Sequence, residues 1–193
     1  MDGVIEYINI KYDRSLFARA HEAVLGHAPL AYIECGAQSW VLNTNPLFAQ
    51  TFAEILALHA RVHDQFCKYA TGFNFNKTNA HTVPPHVDID KKNYFNLLIP
   101  LFGVARIDIF ETRVEQLEFR HGETHWMMLK EGVAANKVGS LLVDRPVLLN
   151  TRWLHSVQPE VSPRCVWCSR WVGVDEAIDF AKFKRRVEGI LIE

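Results

Sequence analysis

The sequence predicts a mainly β domain with helices packed outside it, and three observations carry that expectation. Apolar residues recur at helical spacing up to about residue 71, and from residue 72 the pattern changes to alternation. A long train of short β-branched and aromatic segments separated by turn residues follows. Helical spacing then returns at the C-terminal end. Helices, a run of strands and a last helix are the order expected of a β-sandwich or barrel with helices on its outer surface. A chain of 193 residues, 49% hydrophobic, suits one domain with a substantial core and is short for two. No repeat, low-complexity tract or linker divides it. The expected organisation is a single domain over 1–193: helical N-terminal support at about 1–71, a β core at about 72–173 and a C-terminal helix at about 174–193.

The elements follow in order. The opening "MDGVIEYINIKYD" has neither a basic leader nor a long apolar stretch, and no segment has the apolar length of a membrane span, so a cytoplasmic protein is expected. Leu16, Phe17, Ala20, Val24 and Leu25 predict a first helix after "YDRS". A second starts at "NPLF", with Asn45 as N-cap and Pro46 in the first helical position. Its apolar face runs through Phe48, Phe52, Ile55, Leu56, Val62, Phe66 and Tyr69. His59 and His63 lie one turn apart on it, but no glutamate stands where a zinc protease needs one, and packing and surface roles are expected. The predicted strands are "GFNFNKT", "HVDI", "YFNLLIPLF", "ARIDIFETR", "QLEFRH", "HWMMLK", "SLLVD", "PVLLN", "HSVQ" and "RCVWCSRWVG". "DEAIDFAKFKRRVEGI" forms the last helix, and its "KFKRR" run reads as a solvated face.

Charge and cysteine usage disfavour several classes. A net charge of -1 gives no concentrated positive field for nucleic acid or an anionic membrane, although Lys77, Lys91, Lys92, Arg106 and Arg113 are the basic residues placed to gather near a barrel mouth. Cys35, Cys67, Cys165 and Cys168 are too few and too scattered for a secreted disulfide framework, so reduced thiols are expected. "CVWC" has CxxC spacing but lies in a strand pattern, where positions three apart face opposite ways. It has neither a second ligand pair for zinc nor a following helix for redox chemistry.

The chemistry concentrates in "HTVPPHVDID". If the chain after the prolines is extended, His86 and Asp88 project from one face of a strand and Val87 from the other. HxD alone means little, since nine histidines and nine aspartates give about 0.4 such tripeptides by chance in this length. Its context lies in "RPVLLNTRWLHSVQPEVSPRCVWCSRW". An apolar strand leads to a turn, His155 opens the next segment, and Arg164 follows nine positions later at the start of another strand. Two imidazoles and one carboxylate form a facial triad that suits ferrous iron, because it leaves coordination positions open. Asp90 shares the face of Asp88 but stands further from His86, and His81 ends a loop before the prolines. His121 and His125 flank Glu123 in a turn between strands.

In these positions the chain resembles the Fe(II)- and 2-oxoglutarate-dependent dioxygenases, built on the double-stranded β-helix or jelly roll. The likeness rests on "PPHVD", the strand "NLLIPL" behind it, "PVLLNTRWLHSV" before the distal histidine, and Arg164, and it covers roughly residues 72–172. The spacing of Arg164 is most similar to the aspartyl/asparaginyl β-hydroxylase and prolyl hydroxylase branches. Some of the former lack the carboxylate that this chain has at Asp88. The resemblance implies a cupin-like jelly-roll core with helices outside it, and His86, Asp88 and His155 as catalytic metal ligands for Fe(II). It also implies 2-oxoglutarate as co-substrate and ascorbate as reductant. The far carboxylate of 2-oxoglutarate needs a guanidinium at a fixed distance. Arg164 is the first candidate and Arg170, on the same strand face, the second. Asn76 and Asn96, with Asn74 and Tyr94, stand at alternate strand positions that suit co-substrate or substrate contacts, and Trp153 lies near the distal histidine. An amino-acid, peptide or small-metabolite substrate is expected. The alternatives are a non-catalytic jelly-roll module that binds a small molecule or metal, and a cupin-type dioxygenase or isomerase that does not use 2-oxoglutarate. Neither needs a cation facing the metal.

Overall fold

The structure is a computed structural model that describes residues 1–9, 38–41, 69–78, 82–88, 93–119, 126–172 and 179–191. The first predicted helix and the second as far as Phe66 lie outside these residues, as do Cys35, Cys67, His59, His63, His81, Asp90, Lys91, Lys92, His121, Glu123 and His125. Tyr69, expected on the second helix, instead opens a strand, where it pairs with Val172.

Ten strands are described: β1 (Ile5–Tyr7), β2 (Gln38–Val41), β3 (Tyr69–Thr78), β4 (Val83–Asp88), β5 (Asn93–Glu111), β6 (Leu117–Phe119), β7 (Trp126–Leu129), β8 (Asn136–Val143), β9 (Val147–Asn150) and β10 (Leu154–Val172). Helix α1 (Phe180–Leu191) follows them. Every strand pairing is antiparallel. The jelly-roll class expected from the sequence is the one observed. Two short strands, β1 and β2, lie in the segment expected to be helical support.

The frame is the long pair β5 and β10, which run beside each other from Leu154↔Phe110 to Val172↔Asn93. Each is 19 residues long. Straight, such a strand would span roughly 60 Å, against a diameter of about 40 Å for a domain of this size, so the pair must bend. It bends where Gly103 takes a φ of +68° and where the register slips between Val161 and Cys165. This corrects the expected break of each ribbon into two strands. "YFNLLIPLF" and "ARIDIFETR" are one strand, and so are "HSVQ" and "RCVWCSRWVG", because glycine and proline here produce a bend and bulges and leave the ladder continuous.

The bend makes two layers. One half of the ribbon carries β9 and β1 beside β5, and β3 and β2 beside β10. The other half carries β8 beside β5, and β4, β7 and β6 beyond β10. Their inner faces meet in one apolar core, with Leu98, Val147, Leu149 and Val166 from the first layer against Ala105, Ile107, Ile109 and Val143 from the second. A smaller cluster of Val87, Leu117 and Leu154 joins β4, β6 and β10.

Helix α1 packs outside the first layer. Asp179 caps it, its Oδ1 accepting from the Lys182 amide at 2.7 Å. Phe183, Val187 and Phe180 are buried, and Phe183 stacks on Phe95 at 4.6 Å. Lys184 pairs with Glu6 at 2.7 Å, and the Asn9 amide donates to Glu188 at 3.0 Å, tying the helix to the β1 end of the sheet. No helix among the described residues is long and apolar enough to cross a membrane.

Candidate metal centre

The centre begins with two prolines. Pro84 and Pro85 lie inside β4 and do not form the turn before it, which corrects the sequence reading. Between Val83 and His86 the strand advances three residues while β10 advances two, from Val157 to His155. The extra residue is a bulge, the setting in which a strand tolerates residues with no N–H to donate. Past the bulge the register is fixed as His155↔His86, with Met128 opposite His86 on the other side.

Directly opposed residues project from the same face, so the two imidazoles meet, with ring centroids 4.3 Å apart at 51°. Asp88, two positions along β4, joins them. The three side chains offer ligand atoms that all lie within 4.8 Å of one another, and all three are buried. Asp88 Oδ1 is 3.5 Å from His86 Nε2.

Each imidazole is oriented by the backbone. His86 Nδ1 lies 2.8 Å from the Pro84 carbonyl and His155 Nδ1 lies 2.8 Å from the Trp153 carbonyl. A carbonyl only accepts, so Nδ1 carries the proton in both rings and Nε2 keeps its lone pair, the tautomer that a metal-binding imidazole requires. Burial pushes the His155 pKa down to about 4, helped by repulsion from His86 and opposed by Asp88 and the Trp153 carbonyl. His155 is therefore neutral near pH 7. The carboxylate is oriented as well: the Asp88 amide donates to the Thr151 carbonyl at 3.2 Å, and Asn96 Nδ2 donates to Asp88 Oδ2 at 3.3 Å. With Oδ2 engaged, Oδ1 is the oxygen turned toward His86 Nε2. The donor set of two neutral nitrogens and one carboxylate fits a first-row divalent metal with open positions, Fe(II) among them.

The sequence reading located all three of these side chains, and the fold brings them together. Asn96, expected among the co-substrate contacts, lies against Asp88. Asn76 stands opposite Val166 and Ser39. On β10, Arg164 stands opposite Thr78, and Arg170 stands opposite Asn96. Trp153 is 39% exposed at the turn before His155. Arg106 is engaged elsewhere, bonding Asp108 at 2.9 Å and pairing with Glu160. Burial would raise the pKa of Asp108, but Lys137, Ser140 and Arg106 all donate to Oδ1 and hold it below the usual carboxylate range.

Two neighbours were missed. Trp126 stands opposite Asp88 and packs on the His86 ring, centroids 4.7 Å apart at 37°, and Thr151 anchors the Asp88 amide. Both positions depend on strand register, which nothing near "HWMM" or "NTRW" announces.

No protein-family model and no curated protein matches the sequence. Among solved structures, the fold is similar to a prolyl hydroxylase in complex with a hypoxia inducible factor oxygen degradation domain peptide fragment, from Trichoplax adhaerens. That match has a TM-score of 0.55 at 10% identity and covers 95% of this chain and 87% of the other. The fold is also similar to SnoN, a non-heme alpha ketoglutarate dependent epimerase from nogalamycin biosynthesis, with a TM-score of 0.52 at 12% identity over 87% and 77% of the two chains. A looser match, TM-score 0.36 at 13% identity, spans 53% of this chain and 58% of hydroquinone 1,2-dioxygenase PnpCD. The chain thus shares its antiparallel jelly-roll fold with this prolyl hydroxylase and this alpha ketoglutarate dependent epimerase.

Proposed function

We propose that this chain is a non-haem Fe(II)- and 2-oxoglutarate-dependent oxygenase that hydroxylates an amino-acid, peptide or small-metabolite substrate with release of succinate and CO2. The observation that carries the reading is the buried cluster of His86, Asp88 and His155, with each Nδ1 fixed on a carbonyl and each Nε2 left to bind. A jelly roll that also hosts an alpha ketoglutarate dependent epimerase and a prolyl hydroxylase supports it.

Fe(II), when bound, would be chelated by 2-oxoglutarate and would supply the oxidising chemistry. The work of the chain is to hold and to shield. His86 and His155 present lone pairs in fixed directions, and Asp88 presents one oxygen because Asn96 holds the other. Ile107 and Ile109, both buried on the inner face, exclude water from that side. The far carboxylate of 2-oxoglutarate would meet a guanidinium of β10. Sequence spacing favours Arg164, whereas the register beside Asn96 favours Arg170. Asn76 is proposed as a further co-substrate contact.

Purified protein given Fe(II), ascorbate and 2-oxoglutarate is expected to form succinate slowly even without its substrate, and His86→Ala should abolish this. Equal rates for the two proteins would refute the enzyme reading. Metal-dependent turnover with no need for 2-oxoglutarate would replace it with a cupin-type oxygenase or isomerase. Replacing the correct arginine with alanine should weaken 2-oxoglutarate binding much more than metal binding.

A further inference from the structure

The prolines that shift β4 also open a groove. Neither Pro84 nor Pro85 has an N–H to donate, and the β4–β7 ladder stops beside them, at His86↔Met128. Where the ladder ends the two strands part, leaving a cavity of about 770 Å³ lined by Pro84, Pro85, Glu118, Phe119, Met128 and the turn that follows β7.

The groove adjoins the candidate centre on a definite face. His155↔His86, His86↔Met128 and Met128↔Glu118 are successive registered pairs, so one row crosses β10, β4, β7 and β6. Residues opposed in this way share a face. The face that carries the imidazoles therefore continues over Met128 to Glu118, two strand spacings or roughly 10 Å from His86. Met128 supplies buried apolar surface on this face, whereas Phe119, opposed to Met127 and 51% exposed, projects from the other. The rim carries Glu118 and Glu131 against the single ammonium of Lys130, all three exposed. None of them has an ion-pair partner among the described residues.

We propose that this groove seats an extended peptide segment of the substrate, with a basic side chain of that segment meeting Glu118 and Glu131. The proposal rests on the oxygenase reading for what happens at the metal and narrows its substrate class to a peptide. The volume lies in the range that takes a ligand of several residues. Extended chain rises about 3.3 Å per residue, so the basic residue stands roughly three positions from the one presented to the metal. An acidic residue at that position would face two carboxylates.

The test is binding without turnover. Fluorescently labelled heptapeptides, blocked at both ends, uncharged except for one Lys or one Glu, and degenerate elsewhere, are titrated into the full chain without 2-oxoglutarate and followed by anisotropy. Lys peptides should bind about three- to ten-fold tighter than Glu peptides, the size expected when an exposed ion pair worth up to about 1 kcal/mol replaces a like-charge contact. The double variant Glu118→Gln, Glu131→Gln should reduce that preference to about two-fold or less. The proposal is overturned if no peptide binds, if Lys confers no advantage, or if the preference survives in the double variant. The two readings fail separately. Charge-selective binding without succinate formation would leave the groove and remove the oxygenase, whereas succinate formation without peptide binding would do the reverse.

Discussion

Asn96→Ala separates holding a metal ligand from merely filling the core. Asn96 and Asp88 are both buried, and the Asn96 amide donates to Oδ2 at 3.3 Å, leaving Oδ1 beside His86 Nε2. A hydrogen bond to a charged group contributes about 1.5–3 kcal/mol, and 3.3 Å is a long one, so its loss should cost about 1.5 kcal/mol in carboxylate orientation. That corresponds to about tenfold weaker metal binding, the lower end of what outer partners of metal ligands provide. Co(II) is the probe, titrated into metal-free protein against a chelator of known affinity. Its visible bands report the ligand field, so a carboxylate free to swing or to chelate through both oxygens should change them. Urea unfolding of the metal-free variant shows whether the fold has suffered. Co(II) affinity within twofold of wild type, with unchanged bands, would refute the assignment of Asn96 as the residue that positions Asp88. Loss of affinity only in proportion to lost stability would refute it equally.

Two further outcomes follow from the same structure. His155 has a folded pKa of about 4 against an ordinary value of 6.5, so between those values the unfolded chain takes up the proton first. Its stabilising contribution in metal-free protein is complete above about pH 6.5 and falls by about 3 kcal/mol in total as pH drops to about 4. Denaturant unfolding across that window should show the slope, and His155→Gln should flatten it; an equal slope in both proteins would contradict the burial argument. On helix α1, Phe183→Ala should cost about 3–5 kcal/mol in urea unfolding, because the ring is fully buried and stacked on Phe95. Lys184→Ala should cost less than about 1 kcal/mol, because its partner Glu6 is partly solvated. Comparable losses for the two would mean that the helix is held by charge more than by packing.

The strand pattern was legible because alternation records which face of a residue is buried, and it located β3, β4, β7 and β9 close to their observed places. The meeting of His86, Asp88 and His155 was legible for a different reason: HxD on one strand with a distal histidine opening another is the pattern on which the resemblance to the dioxygenases rests, and the fold brings the three side chains together. What stayed hidden depends on register and on context. Gly103 and the prolines near residue 160 read locally as chain breaks, but β5 and β10 pair with each other on both sides of these residues, so the ladder carries across them with shifts of register. Pro84 and Pro85 read as a turn because a proline's missing N–H counts against a ladder, and the bulge opposite Val157 is what accommodates them. The bond from Asn96 to Asp88 joins the two layers, and no local pattern encodes which residues meet across a core. β1 was missed because three residues carry too little periodicity to register, although "IEYINI" alternates.

The proposed function requires that His86, Asp88 and His155 hold a divalent metal to which 2-oxoglutarate binds. Calorimetric titration of 2-oxoglutarate under argon, into protein with and without Fe(II), tests it most directly. One equivalent should bind in the presence of Fe(II), and binding should be at least about tenfold weaker without it, the difference supplied by chelation at the metal. Equal affinity with and without Fe(II), or metal-dependent binding that persists in His86→Ala, would contradict it.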